Sequence, residues 1–132
     1  MDDLSTRLHA AVRAVGTLEE LAQLESPTPV QRDAAIQRFE YSVEATWKAA
    51  RHYLLQREGV ERASPKSVIR ACREVGLLSD DQAGHALAMI DDRNLTAHTY
   101  NEGLARMIFA RLPAHVSLLG KWLDAMDTAT DA

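Results

Sequence analysis

Hydrophobic residues recur every three or four positions along nearly the whole chain, with polar residues between them. This spacing follows the 3.6-residue period of an amphipathic helix, and no segment alternates regularly enough to predict a strand. We therefore expect an all-α fold, an antiparallel up-and-down bundle of four to five helices joined by short connections. The first hydrophobic stripe is formed by Leu4, Leu8, Ala11, Val12, Val15 and Leu18.

Prolines and capping residues mark where the predicted helices begin. Pro27 and Pro29 separate the first stripe from a longer one that runs from about Val30 to Leu54. Ser64–Pro65 predicts the start of a third helix, because a hydroxyl side chain precedes proline at the first helical position. Ser79, with Gln82 three residues later, predicts a capping box at the start of a fourth helix.

Glycines and one internal proline mark the remaining boundaries. Gly59 and Gly76 are expected to end the second and third helices. Asn101 is expected to cap the last helix, which Pro113 either bends or divides in two.

Length, charge and cysteine content narrow the class of protein. The chain has 132 residues, a length that predicts one domain, residues 1–127, followed by a frayed tail, 128–132. Its formal net charge is -4. An acidic chain lacks the basic surface of a DNA-coating protein, so any contact with RNA must be local. Cys72 is the only cysteine, which excludes an intrachain disulfide and favours a reducing cytoplasm. The acidic N-terminus predicts no signal peptide, and no apolar run approaches the roughly 20 residues of a membrane helix.

The segment 91–100 is polar where a helix that faces the core should be apolar. It contains Arg93, His98 and Tyr100. On a regular helix, Arg93 and His98 would diverge by about 140° around the axis. They can approach each other only if the helix ends or bends between them. If the chain is extended after that point, His98 and Tyr100 lie on the same side.

Two interpretations of this segment remain open. In the first, the imidazole of His98 moves a proton to or from a ribose or leaving-group oxygen, and the guanidinium of Arg93 binds the phosphate, with no metal ion. In the second, Arg93 pairs with Asp91 or Asp92 at a helix end, and His98 and Tyr100 fill a half-buried turn.

Other polar residues are weaker candidates for a site. Glu40 and Glu44 are one turn apart and precede Lys48 by one more, which predicts an ion-paired helix face. No metal site and no cofactor are expected, because the histidines outside segment 91–100 lack metal-ligand spacing and no Gly-rich phosphate loop is present. The predicted second helix also carries four cationic residues, which form either a basic patch for RNA or an ordinary solvated face: Arg32, Arg38, Lys48 and Arg51.

Three blocks of the sequence resemble the HEPN superfamily. Residues 93–100 are similar to its Arg-x4-His-x-Tyr signature, including the polar Asn94 after the arginine. Residues 38–48 resemble the long second helix of small bacterial proteins called nucleotidyltransferase substrate-binding proteins. Residues 64–70 resemble their third helix, which begins with Ser-Pro. The resemblance spans roughly residues 30 to 105, in order.

This resemblance implies a homodimeric helical bundle that forms a hetero-oligomer with a minimal nucleotidyltransferase. It further implies a toxin that cleaves RNA, with Arg93 binding phosphate, His98 acting as general base or acid and Asn94 orienting the site. The nucleotidyltransferase would be the antitoxin and would transfer AMP to Tyr100. The alternative implied by the family's name is a non-catalytic subunit that binds substrate for the nucleotidyltransferase. No membrane or DNA partner is expected.

Overall fold

The computed structural model describes residues 3–131, and these form an all-α, antiparallel up-and-down bundle, as predicted. No strand occurs in that range. A π-helical turn, Leu54–Glu58, extends the second helix, and a 3₁₀ turn, Thr96–His98, follows the fourth. The five α-helices are α1 (Asp3–Ala22), α2 (Pro29–Tyr53), α3 (Pro65–Glu74), α4 (Asp80–Leu95) and α5 (Glu102–Asp131).

Side-chain caps fix the starts of three helices. Thr28, Ser64 and Ser79 each accept a hydrogen bond from the backbone three residues later, and that later side chain accepts in return from the cap's backbone N–H. At α4 the two hydrogen bonds are 3.1 and 2.9 Å long and join Ser79 with Gln82. Each such cap is worth about 1 kcal/mol. The predicted starts at Ser64–Pro65 and at Ser79 are confirmed.

Two glycines end helical segments in the left-handed conformation. Gly59 follows the π-helical turn with φ of 65°, and Gly76 follows α3 with φ of 84°. A side chain at either position would strain the backbone, which is why glycine ends these helices. Both predicted boundaries are confirmed.

A single apolar core lies between the long helices. Helix α2 packs against both α1 and α5, and α1 also packs against α5. Helices α3 and α4 pack against each other and against α2, and α4 also packs against α5. Burial of each large aliphatic side chain contributes about 1.5–3 kcal/mol relative to exposure. The largest fully buried side chains are Trp122, Phe39, Leu4, Leu18, Leu54, Ile69, Met89, Ile108, Leu112, Leu119, Met126 and Val43.

Helix α5 is continuous across Pro113, so the proline does not divide it. Pro113 is exposed, so the hydrogen bond that it removes lies on the solvent side of the helix. The helix also continues to Asp131, beyond residue 127, where the sequence predicts a frayed tail. There the Thr130 hydroxyl donates to the Met126 carbonyl at 2.7 Å, which holds the last turn. Ala132 lies outside the described residues.

Candidate functional site

Helix α4 ends two residues after Arg93. The Thr96 hydroxyl donates to the Arg93 carbonyl at 2.6 Å, and the Thr99 hydroxyl donates to the Thr96 carbonyl at 3.1 Å. Threonine hydroxyls that bond backbone carbonyls in this way compete with continued α-helical hydrogen bonding. The helix therefore ends between Arg93 and His98, which is the condition for their side chains to approach each other, although the chain turns here and is not extended.

Asn101 begins the next helix. Its side-chain oxygen accepts from the Leu104 backbone N–H at 3.0 Å, and its own N–H donates to the His98 carbonyl at 3.1 Å. Asn101 therefore caps α5, as predicted, and the link between α4 and α5 is held at both ends.

The Arg93 side chain lies against α2, between two carboxylates. Its Nε is 3.4 Å from Oε1 of Glu44, and its Nη1 is 3.8 Å from Oε2 of Glu40. Nη1 also donates to the Thr96 hydroxyl at 3.4 Å. The side chains of Arg93, Glu44 and Glu40 are 28%, 34% and 37% exposed, so these ion pairs are partly desolvated.

The guanidinium is not saturated by these contacts. The Nε of Arg93 is buried and finds no acceptor in hydrogen-bond geometry among the described residues, even though Glu44 is close enough for an ion pair. A depression of about 280 Å³ opens here, lined by Gln37, Glu40, Tyr41, Glu44 and Arg93. This depression is large enough to admit a phosphate group, but the carboxylates of Glu40 and Glu44 would repel an anion.

His98 and Tyr100 lie side by side at the surface. Their ring centroids are 6.0 Å apart with the planes at 79°, an edge-to-face pair, so they share one side, although the extended chain on which that expectation depended does not form. His98 is exposed and Tyr100 is 86% exposed. Asn94, at the end of α4, is also exposed. The half-buried turn of the second interpretation is therefore wrong.

Arg93 and His98 do not meet within one chain. No hydrogen bond, ion pair or ring contact of the described residues joins them: Arg93 is held against α2, and His98 pairs with Tyr100. The interruption of α4 thus changes the direction of the chain without closing a pocket that both side chains line.

The acidic residues before Arg93 do not pair with it. Asp91 accepts from Lys66 of α3 at 2.7 Å, and Asp92 points to α5. The expected pairing of Arg93 with Asp91 or Asp92 is wrong, because successive helical residues point in different directions and the carboxylates near Arg93 come from α2.

Asp92 is the centre of a buried polar cluster. Its side chain is 6% exposed; one carboxylate oxygen accepts from Arg111 Nη1 and the other pairs with His115 Nε2, each at 2.8 Å. His115 Nδ1 is 3.0 Å from Nε2 of His85, and the His115 ring stacks on Phe39 with centroids 5.2 Å apart. Burial lowers the pKa of His115, and the Asp92 carboxylate only partly opposes this.

A neutral His115 accounts for every contact in this cluster. Its Nε2–H donates to Asp92, and its Nδ1 then accepts from the Nε2–H of His85. This cluster is not among the features predicted from the sequence, where these histidines are noted only for their lack of metal-ligand spacing. The available signal was spacing: His85 and Asp92 are two helical turns apart, and Arg111 and His115 are one turn apart, so each pair shares a helix face.

The basic residues of α2 do not form one patch. Arg38 donates to the Thr17 carbonyl at 2.7 Å in α1, and Arg32 lies 3.7 Å from Glu102. Lys48 pairs with Glu44 at 3.6 Å, which confirms the predicted ion-paired helix face, and the Arg51 guanidinium lies over the Trp47 ring.

Metal and membrane sites are not found in the described part of the chain. Residues 3–131 contain no group of three or more histidine, cysteine or acidic side chains that could hold a metal ion. None of the described helices is both long and apolar enough to span a bilayer. Cys72 is a buried free thiol, and burial raises its pKa to about 12.

The chain matches the model of a family described as nucleotidyltransferase substrate binding protein like, over residues 6–128. The protein belongs to this family. The match includes all of α2, α3 and α4 and therefore the whole candidate site. No curated protein sequence matches the chain.

Three solved structures illustrate the similarity. A Thermus thermophilus protein is 60% identical, with a TM-score of 0.86, covering 88% of this chain and 98% of its own. A Haemophilus influenzae substrate binding domain of a nucleotidyltransferase is 24% identical, with a TM-score of 0.76 and coverage of 91% and 98%. A tri-AMPylated Shewanella oneidensis HEPN toxin, in complex with its MNT antitoxin, is 15% identical, with a TM-score of 0.78 and coverage of 97% and 99%. The last two similarities concern the fold.

Proposed function

We propose that this protein is a HEPN-type toxin, a metal-independent endoribonuclease of the cytoplasm that a cognate minimal nucleotidyltransferase silences by adenylylating Tyr100. One observation carries the proposal: the helix ends between Arg93 and His98 and leaves His98 and Tyr100 exposed side by side. The likeness of the fold to a HEPN toxin bound to its antitoxin supports it.

The chemistry requires only these side chains and RNA. One His98 imidazole removes the proton of a ribose 2′-hydroxyl, and the 2′-oxygen forms a bond to the adjacent phosphorus. The bond from phosphorus to the 5′-oxygen breaks, and the same imidazole, now protonated, returns its proton to that oxygen. The products are a 2′,3′-cyclic phosphate and a 5′-hydroxyl. Arg93 stabilises the charge that builds up on the phosphate, and the Asn94 amide orients it.

A homodimer supplies the missing half of this arrangement. Within one chain Arg93 and His98 do not meet, so we place Arg93 of one protomer beside His98 of the other, in one shared cleft. An exposed apolar side chain within the motif supports this placement, Leu95 at 36% exposure, because contact with a second chain would cover it.

Adenylylation of Tyr100 would block this cleft. The exposed phenol oxygen attacks the α-phosphorus of ATP, pyrophosphate leaves, and the phenol proton passes to a base of the nucleotidyltransferase. The attached AMP places a negative charge next to His98, where it excludes the phosphate of RNA by repulsion and by occupying Arg93.

The non-catalytic subunit is the second candidate function. The observation that favours it is the position of Arg93 between Glu40 and Glu44, which weakens an isolated phosphate site. Here Arg93, His98 and Tyr100 would bind a ligand or the nucleotidyltransferase without cleaving RNA.

Cleavage of a single-stranded RNA in EDTA distinguishes the two functions. We expect cyclic phosphate ends from the wild type and a loss of at least about 100-fold in R93A and H98A. Matched controls are Arg106→Ala and His9→Ala, which remove an exposed arginine and an exposed histidine elsewhere. Equal activity in all five proteins indicates a contaminating nuclease, and no activity in the wild type refutes the nuclease.

Mixing the two inactive variants tests the shared cleft. A mixed dimer of R93A and H98A contains one intact Arg93 and one intact His98 on opposite chains. Random pairing during co-refolding makes half of the dimers mixed. If Arg93 and His98 combine across the dimer, each mixed dimer has one intact site and one inactive site, so up to about a quarter of wild-type activity should return. If each site uses one chain, the mixture stays inactive.

A further inference from the structure

We infer that Asp92 is a positioning residue, which fixes the last turn of α4 through Arg111 and His115 and thereby sets the direction of Arg93 and the course of the link to His98. The part of this inference that concerns catalysis rests on the proposed nuclease, whereas the part that concerns position does not.

The first argument is the unusual location of the charge. A carboxylate in the last turn of a helix meets the negative end of the helix dipole, and this one is also buried. Such a group is costly unless it is paired and hydrogen-bonded. Both oxygens of Asp92 are satisfied, one by Arg111 and one by His115. The arrangement therefore tolerates little movement of Asp92.

The second argument is direction. Asp92 and Arg93 are adjacent in the same helical turn, and their side chains point to different neighbours: Asp92 to α5, Arg93 to the carboxylates of α2. The last turn of α4 thus connects α2 with α5. Because the two residues move together, any rotation of this turn about the helix axis that displaced Arg93 would also break the contacts of Asp92.

The third argument is that the cluster is itself held on other sides. The His115 ring stacks on Phe39 of α2. The Nδ1 of His115 contacts His85, which precedes Asp92 in α4 by two helical turns. Asp92 is thus attached to groups that are fixed by the core. At the other end of the link, the Asn101 cap holds the start of α5, so residues 96–100 span two anchored points.

Asp92→Asn tests the inference, with Asp91→Asn as the matched control. The two substitutions make the same chemical change at neighbouring residues, but Asp91 pairs with Lys66 at the surface, whereas Asp92 is buried. We expect D92N to lower the Tm by about 10 °C and D91N to change it by less than about 2 °C.

Hydrogen exchange of individual backbone amides distinguishes a local loss of order at residues 93–98 from a general loss of stability. Well below both Tm values, amides 93–98 of D92N should exchange about tenfold faster than in D91N, while those of α1 should differ only by the change in global stability. If the increase is uniform along the chain, or absent at residues 93–98, Asp92 is only a structural residue and the inference is wrong.

Arg111 provides a second variant in case D92N does not fold. Arg111 is half exposed, so Arg111→Met removes one of the two contacts of Asp92 with little loss of core. We expect faster exchange at 93–98 in R111M and recovery in R111K, which restores the charge. Equal exchange in R111M and the wild type would overturn the inference.

The cleavage assay adds the catalytic part. In D92N, kcat for RNA should fall about tenfold with KM changed less than about twofold, because the phosphate-binding charge remains and its position is altered. A rise in KM alone would overturn the catalytic part. If the wild type does not cleave RNA, the proposed function fails, and the exchange experiment still decides whether Asp92 positions the segment.

Discussion

The carboxylates that flank Arg93 should limit how strongly this protein binds phosphate. We consider Glu44→Gln, which removes one charge and keeps the shape of the side chain. In the structure a Glu44 oxygen also accepts from the Trp47 indole N–H at 3.2 Å. The amide oxygen of glutamine can accept the same hydrogen bond, so the packing of α2 should survive the substitution.

The expected magnitude follows from the distances. A unit charge pair at the 3.4 Å that separates Arg93 from Glu44 is worth about 1 kcal/mol in a water-like dielectric, and measured pairs near the surface contribute about 0.2–1 kcal/mol. Removing this competitor should raise the affinity for a phosphate by about two- to fivefold. E40Q, at 3.8 Å, should act similarly, and the double variant should gain about five- to twentyfold.

AMP is a suitable probe, with affinity measured by NMR titration at low salt. Glu20→Gln is the matched control, because Glu20 pairs with Arg38 and its loss changes the net charge equally. The gain should vanish in the R93A background, which shows that it acts through this guanidinium. If AMP binds E44Q and E40Q no more tightly than E20Q, the carboxylates do not compete for Arg93 and the reasoning is wrong.

Two further predictions concern single side chains. The pKa of His115 is lowered in the folded state, so the unfolded chain binds more protons than the folded one as the pH falls below about 6.5. The free energy of unfolding should therefore decrease with falling pH in this range. In urea titrations, H115Q should weaken this pH dependence and the control H9Q should not. Incubation with the proposed cognate nucleotidyltransferase and ATP should add adenylyl groups, measured by intact mass, to the wild type and to Y41F but not to Y100F, because Tyr100 is far more exposed than Tyr41. Equal labelling of Y100F would exclude Tyr100 as the target.

Helix positions were predictable because their causes are local. The period of the apolar residues, the caps at Ser64 and Ser79 and the glycines at 59 and 76 act within one or two turns of the chain. The course of the chain at Pro113 was not predictable. A proline inside a helix costs one hydrogen bond, and only the packing of α5 on both sides decides whether the helix continues.

The candidate site was predictable only in part, for a related reason. The polar residues themselves marked segment 91–100 as a candidate site. The partners of Arg93 were not predictable, because Glu40 and Glu44 lie about 50 residues earlier and meet it only through the way α2 packs against α4. The Asp92 cluster likewise depends on which faces of α4 and α5 come together.

The covalent silencing that we propose would suit a site in which carboxylates oppose the binding of anions. Arg93 is opposed by two carboxylates, so free AMP or the phosphate of an inhibitor would have to displace them and would bind poorly. An AMP attached to Tyr100 cannot diffuse away, and a tethered group acts at an effective concentration in the millimolar range for a short flexible connection. Attachment therefore gives lasting occupancy without new contacts. RNA has no such advantage at a single phosphate, so it must gain its affinity from contacts outside this cluster.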